Sequence, residues 1–228
     1  RHSEKLAGMG QLSAGIAHEL NNPLGVITMY SNILKEELPA DSTMLQDIDL
    51  IVEQAERCRK IVGGLLNFAR KNQVNLTETD VVKLAKHSID SVIIPDHVQV
   101  HFKADVNDPM AMIDCDQMTQ VFTNLLKNAV EAMPGKGEIT FRMSDTSDQI
   151  NICIIDNGTG IQPENMDKLF TPFFTTKEIG KGTGLGLPII YGIVKMHKGD
   201  IKVTSNVDPA AGPTGTTFTI TIPRNRLV

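Results

Sequence analysis

The chain has 228 residues, 41% of them apolar and 21% charged, with a formal net charge of -5. That length holds one large domain or two modest ones, and the apolar share excludes a mostly disordered chain. A protein that grips a nucleic-acid backbone carries a basic face, so the acidic balance argues against nucleic acid as a partner.

Aromatic residues make up only 4%, with no Trp, so the core must come from Leu, Ile, Val, Met and Ala, which suits packed helices. Cys58, Cys115 and Cys153 form neither a disulfide framework nor a C-x-x-C knuckle, and are expected as reduced core thiols of a cytoplasmic protein. No apolar run approaches the ~18–20 residues of a membrane-crossing helix, so no membrane contact is expected of this fragment. The chain opens at Arg1 without a signal peptide and reads as helix almost at once, as a piece of a longer protein would.

From Glu4 to Leu38 the pattern predicts one long amphipathic helix, with Met9, Leu12, Ile16, Leu20, Ile27, Tyr30 and Leu34 on one side. Leu38 to Ser42 is a turn, with Ser42 as N-cap. A second helix follows to Asn72, carrying the stripe Met44, Ile48, Val52, Ala55, Val62, Leu66 and Ala69. A lone helical hairpin has too little core to be stable, and two would close a four-helix bundle, so a homodimer is predicted.

The pattern changes between Asn72 and Asn75. Beyond it, Val98–Lys103, Ala111–Ile113, Glu138–Met143, Ile150–Ile155, Ile201–Thr204 and Thr216–Ile222 read as strands. Val81–Ser91, Asp116–Met133 and Leu187–His197 read as helices. Strands and helices without βαβ regularity predict an α+β two-layer sandwich. The domains are therefore 1–74 and 75–228.

Of six histidines, His18 stands apart, nearly opposite the apolar stripe of its helix. Ala14, Gly15 and Gly25 leave room beside it, and Pro23 removes the N–H that would bond the carbonyl of Glu19. A neutral imidazole is a nucleophile near pH 7. Asn22 shares its face at i+4, whereas Glu19 reaches it only if the ring turns or the helix bends. A plain solvated helix face has the same pattern.

Asp156-Asn157-Gly158-Thr159-Gly160 follows a strand. There a carboxylate can accept from an exocyclic amine while the glycines admit a flat ring; a plain turn uses the same residues. Gly180, Gly182, Gly184 and Gly186 alternate before Leu187 and Pro188 open an apolar helix, which makes either a phosphate cradle or a hinge. Asn124 and Asn128 share a helix face with Lys127 between them, and could offer amide oxygens to Mg²⁺ or simply be solvated. Phe170-Thr171-Pro172-Phe173-Phe174-Thr175-Thr176-Lys177 gathers three of the 8 Phe in a candidate lid or a local loop cluster.

Taken in order, these segments resemble the transmitter of a bacterial sensor histidine kinase. His18-Glu19-Leu20-Asn21-Asn22-Pro23 is similar to its H box, and Asn124–Glu131 to its N box. Asp156–Gly160, Phe170–Lys177 and Gly180–Gly186 are similar to its G1, F and G2 boxes, and Gly215-Thr216-Thr217 to its last glycine element.

The resemblance implies a dimeric four-helix bundle joined to the ATP-binding fold shared with gyrase. His18 would be the phosphoacceptor, Glu19 its acid/base partner, and Asn22 the residue that positions water in dephosphorylation. Asp156, with Gly158, Gly160 and Thr216, would read adenine. Asn128, with Asn124 and Lys127, would organise Mg²⁺ and the phosphates of ATP. Phe170, Lys177, Gly182, Thr183, Gly184, Leu185, Gly186 and Leu187 would belong to the ATP lid and its flanks. A response-regulator receiver domain would take the phosphoryl group. Two alternatives use the second half only: an ATP-hydrolysing dimer clamp, with Glu131 as base, and a non-enzymatic nucleotide-binding dimer scaffold.

Overall fold

The computed structural model describes residues 2–70, 74–177 and 183–224; of residues 2–18, 60, 61 and 64–70 it describes the backbone alone. The chain packs as two compact units, Arg1–Gln73 with Pro172–Leu185, and Val74–Thr171 with Gly186–Val228.

The first unit is a helical hairpin of α1 (His2–Glu37) and α2 (Met44–Arg70). The Ser42 hydroxyl accepts from the Met44 N–H at 3.3 Å, the cap expected there, and Lys35 Nζ meets Asp49 Oδ1 across the hairpin at 2.6 Å. Helix α1 continues through Pro23. On α2, Ile48, Ala55 and Val62 of the predicted stripe are buried. On α1, by contrast, Leu20, Ile27, Tyr30 and Leu34 remain exposed, Tyr30 at 58%. Met9, Leu12, Ile16, Leu66 and Ala69 lie outside the described side chains.

The second unit runs β1 (Thr77–Asp80), α3 (Val81–Asp90), β2 (Val98–Asp105), β3 (Met110–Ile113), α4 (Cys115–Glu131), β4 (Gly137–Asp145), β5 (Gln149–Asp156), α5 (Pro163–Met166), α6 (Gly186–Met196), β6 (Asp200–Asn206) and β7 (Gly215–Pro223). Five strands form one sheet in the order β2-β4-β5-β7-β6, with β2 and β4 parallel and the other pairs antiparallel. Strands β1 and β3 form a separate antiparallel pair.

Alternation fixes the two faces of the large sheet. Ile139, Phe141 and Met143 of β4, Ile150, Ile152 and Ile154 of β5, and Phe218, Ile220 and Ile222 of β7 are buried in one core. Helices α3, α4 and α6 contribute Val81 and Ala85, Met118, Phe122 and Leu126, and Ile190 and Val194 to that same core. Phe122 meets Phe141 edge-on at 5.4 Å, a favoured aromatic arrangement. The opposite face is more polar, with Thr140, Arg142, Thr217 and Thr219.

The expectation of core cysteines is corrected. Cys58 is exposed on α2, and Cys115 and Cys153 are only half-buried. Cys153 points from β5 to the polar face, where its sulfur lies 3.7 Å from Thr219 Oγ1, and Cys115 opens α4 with its sulfur 3.0 Å from Thr79 Oγ1.

Candidate active site

The core face of the sheet ends in a polar row. Register pairs Asp156 of β5 with Thr216 of β7, and Thr216 with Ser205 of β6. Partners in register share a face, so the three side chains stand side by side. The adjacent row on that face is Phe141, Ile154, Phe218 and Val203. Two polar residues are thus held at the mouth of an apolar ladder, Asp156 at 7% exposure and Thr216 at 5%.

The Asp156 carboxylate is half-satisfied. Its Oδ1 accepts from the Gly158 N–H at 2.9 Å and the Thr216 N–H at 3.1 Å. Among the described residues nothing donates to Oδ2. Burial raises its pKa above 3.8 and outweighs the lowering by those two N–H groups. An ionised carboxylate with one open oxygen is an acceptor for a ligand's N–H.

The glycines of this mouth are close-approach positions. A Cβ on Gly158 would lie 2.6 Å from the Ala132 carbonyl oxygen, which also accepts from the Thr159 N–H at 3.1 Å. The Asp156–Gly160 loop is therefore docked on the C-terminal end of α4, where orphan carbonyls need donors. A Cβ on Gly160 would lie 2.3 Å from the Asn206 carbonyl oxygen. Gly215 has φ +132 and sits so close to β5 that a Cβ would lie 1.9 Å from the Asp156 carbonyl oxygen.

Helix α4 carries Asn124 and Asn128 half-buried, with Lys127 and Glu131 exposed, while Leu125, Leu126 and Ala129 are buried. Among the described residues neither amide of Asn124 or Asn128 has a hydrogen-bond partner, so their oxygens are open to a ligand. Amide oxygens in small number suit Mg²⁺, which keeps waters and substrate phosphates as its other ligands. The helix is anchored at its start: Asp114 Oδ1 accepts from the Gln117 N–H and Oδ2 from the Asn75 N–H, each at 3.0 Å.

His197 ties α4 to α6. Its Nε2 accepts from the Asp114 N–H at 3.0 Å, and its Nδ1 lies 2.8 Å from the Ile193 carbonyl oxygen. That pairing requires the neutral ring with its proton on Nδ1. Burial lowers the His197 pKa below 6.5, against raising contributions from Ile193 and Asp114.

In the Pro172–Leu185 segment, Phe173 and Gly184 close a loop: the Phe173 N–H donates to the Gly184 carbonyl at 3.0 Å. Gly184 has φ +64. The Leu185 N–H donates to Thr183 Oγ1 at 3.4 Å, and Leu185 is buried. Lys177 is exposed, its N–H donating to Thr175 Oγ1. Gly186 opens α6, and Leu187 packs on the core of the second unit. Phe170 lies in that unit and packs at a tilt against Tyr191, ring centroids 5.1 Å apart, whereas Phe173 and Phe174 fall in the Pro172–Leu185 segment. Gly180 and Gly182 lie outside the described residues.

His18, Glu19 and Asn22 lie on α1 before Pro23. Glu19 and Asn22 are exposed, and the His18 side chain lies outside the described ones. Nothing lies within 4 Å of a Cβ placed on Gly25. Among the described residues, no helix is long and apolar enough to cross a membrane.

Comparison with known proteins matches both parts of the chain. Residues 9–74 match the His Kinase A (phospho-acceptor) domain. Residues 113–226 match the histidine kinase-, DNA gyrase B-, and HSP90-like ATPase family. The sensor histidine kinase ZraS of Escherichia coli K12 is 34% identical over 99% of this chain and 48% of its own length. Sporulation kinase E of Bacillus subtilis is 34% identical over 98% of the chain and 30% of its own. The chain thus spans about half, or less, of the curated relatives it matches. Among solved structures, histidine kinase ThkA in complex with response regulator TrrA is similar, with TM-score 0.67 and 26% identity over 99% of this chain and 64% of that one. The catalytic domain of ThkA alone gives TM-score 0.57 and 29% identity over 66% of this chain and 96% of that one. The chain belongs to the sensor histidine kinases, with a phosphoacceptor helical hairpin followed by an ATPase-type α/β domain.

Proposed function

We propose that this chain phosphorylates itself on His18 from ATP and passes the phosphoryl group to an aspartate of a response-regulator receiver domain. The observation that carries the reading is the buried Asp156 carboxylate with one open oxygen at the mouth of the sheet. Its Oδ2 would accept the exocyclic amine of adenine, while Gly158 and Gly160 let the loop that carries it close against Ala132 and Asn206. Asn124 and Asn128 would hold Mg²⁺ with the triphosphate, and Lys127 adds a counter-charge. When bound, Mg²⁺ neutralises charge on the phosphates. N–H groups of the stretch Gly182 to Gly186 would cradle those phosphates.

The transfer is mostly positioning. An imidazole nitrogen of His18 attacks the γ-phosphorus in line, the bond to the bridging oxygen breaks, and ADP leaves. Glu19 takes the proton released from the ring. In the reverse sense Asn22 would position a water to clear phosphate from the regulator. The working boundaries are 1–74 for dimerisation and phosphotransfer and 75–228 for catalysis. The open apolar face of α1 supports a homodimer, and the relation to ThkA, solved with a response regulator, supports a receiver partner. The kinase would act on the cytoplasmic side.

The test is labelling with Mg²⁺ and γ-labelled ATP. An acid-labile, alkali-stable label that vanishes in His18→Gln is expected. Label retained in that variant would place the acceptor elsewhere, and phosphate release without label would make the chain an ATPase.

A further inference from the structure

Ser205 is absent from every motif above, yet it sits at the end of the polar row beside Thr216. Its hydroxyl oxygen has three neighbours. It accepts from the Ile161 N–H at 2.8 Å, lies 2.8 Å from the Gly215 carbonyl oxygen, and lies 3.0 Å from Thr216 Oγ1. One side chain thus ties the exit of the Asp156–Gly160 loop to the Gly215–Thr216 turn.

Counting protons settles the direction of each bond. A serine hydroxyl has one proton and two lone pairs. The Gly215 carbonyl has no proton to give, so Ser205 must donate there. The Ile161 N–H takes one lone pair of Ser205. The contact with Thr216 must then be a donation from the Thr216 hydroxyl into the second lone pair. Every bonding position of Ser205 is filled, and the Thr216 proton is turned away from Asp156. What Thr216 offers beside the carboxylate is therefore lone pairs only. Asp156 Oδ2 and Thr216 Oγ1 together make an edge of acceptors.

We propose that Ser205 is a positioning residue that sets base selectivity by locking the Thr216 hydroxyl as an acceptor. An acceptor edge suits a purine that presents an amine at position 6, directly or through a water. It disfavours a 6-keto purine, whose oxygen would face lone pairs. Without Ser205 the Thr216 hydroxyl is free to turn and donate to that oxygen. The inference rests on the adenine-site reading of Asp156 given above.

The experiment measures Kd for ATP and for inosine triphosphate, by competition against a fluorescent ATP analogue, in the full chain. The two ligands differ only along that edge, at position 6 and in the proton inosine carries on N1. Wild type is expected to prefer ATP. Ser205→Ala is expected to lower that preference about tenfold, the scale of one hydrogen bond. Ser205→Thr, which keeps the hydroxyl, should restore it to within about twofold of wild type. If Ser205→Ala does not fold, Ser205→Cys, with its weak donor, gives the same readout. Equal weakening of both ligands in the folded variant would make Ser205 merely structural and overturn the proposal, as would an unchanged ratio. Absence of ATP binding by wild type would overturn the adenine site itself. Labelling of His18, measured separately, reports on the kinase reading whatever the ratio does.

Discussion

Gly215→Ala tests how the site depends on the close approach of β7 to β5. A Cβ there would lie 1.9 Å from the Asp156 carbonyl oxygen, against 3.4–4 Å for ordinary contact. The backbone must open by about 1.5 Å, which carries the Thr216 N–H beyond hydrogen-bond reach of Asp156 Oδ1. The φ of +132 adds strain of about 1–3 kcal/mol for a residue with a side chain. Two weakened hydrogen bonds add about 1 kcal/mol each. The sum is about 3–5 kcal/mol, or roughly 10 °C in melting temperature for a unit of this size. Misplacing Asp156 should also weaken ATP binding about 100-fold, the scale of a lost charge-assisted contact. Two other glycines separate the causes. Gly212 has φ +141 with nothing within 4 Å of a Cβ, so Gly212→Ala carries the strain alone. Gly135 has open space and no positive φ, so Gly135→Ala should be neutral or slightly stabilising. Thermal melts and nucleotide titrations across the three variants make the comparison. Gly215→Ala melting with Gly212→Ala and binding ATP within about threefold of wild type would refute the reasoning.

Three further outcomes follow from other parts of the molecule. The neutral His197 resists protonation while the unfolded chain takes up protons below 6.5, so stability falls as pH drops through the window between 6.5 and its lowered folded pKa. Urea midpoints should show that slope in wild type and lose it in His197→Gln; identical slopes would contradict the assignment. Arg224 is buried against Asp145 and donates to the carbonyls of Asp108, Met110 and Thr146, so Arg224→Met should cost about 3–5 kcal/mol in urea unfolding. A loss below about 1 kcal/mol would mean that the pair is solvated. Tyr30→Glu and Leu34→Glu place charges on the open face of α1 and should raise the dimer dissociation constant about 100-fold in sedimentation equilibrium, whereas an unchanged constant would put the interface elsewhere.

Much of this fold is legible from side-chain periodicity because the buried face is mostly apolar, its polar row lying at one end. Ile150, Ile152 and Ile154 announce a strand, and Met118, Val121, Phe122, Leu125 and Leu126 announce a helix. Where burial is not involved the signal disappears. Strand β1 reads Thr-Glu-Thr-Asp and is held by pairing with β3. Helix α5 is 4 residues long, too short for a period. The parallel pairing of β2 with β4 is a topological fact that no local pattern carries. In the site, Asp156 is visible because glycines follow it, and Asn124 and Asn128 because they share a helix face. Ser205 and Arg224 are not visible, since each acts on backbone groups brought to it by other segments. The cysteines mislead because a residue type that is usually buried sits here on partly exposed ground, Cys115 beside Thr79 and Cys153 beside Thr219.

The polar row of Asp156, Thr216 and Ser205 also bears on folding. Ser205 and Thr216 face each other across one hairpin, 11 residues apart, whereas Thr216 reaches Asp156 from 60 residues away. Nothing short of the closed β5–β7–β6 sheet assembles the row, so a partly folded chain has no acceptor edge for a base. Nucleotide should therefore stabilise the native state alone, by mass action. Its effect would fall on the unfolding rate, leaving the folding rate nearly unchanged. The nucleotide pool would then set how long a finished domain persists, without helping an unfinished one to form.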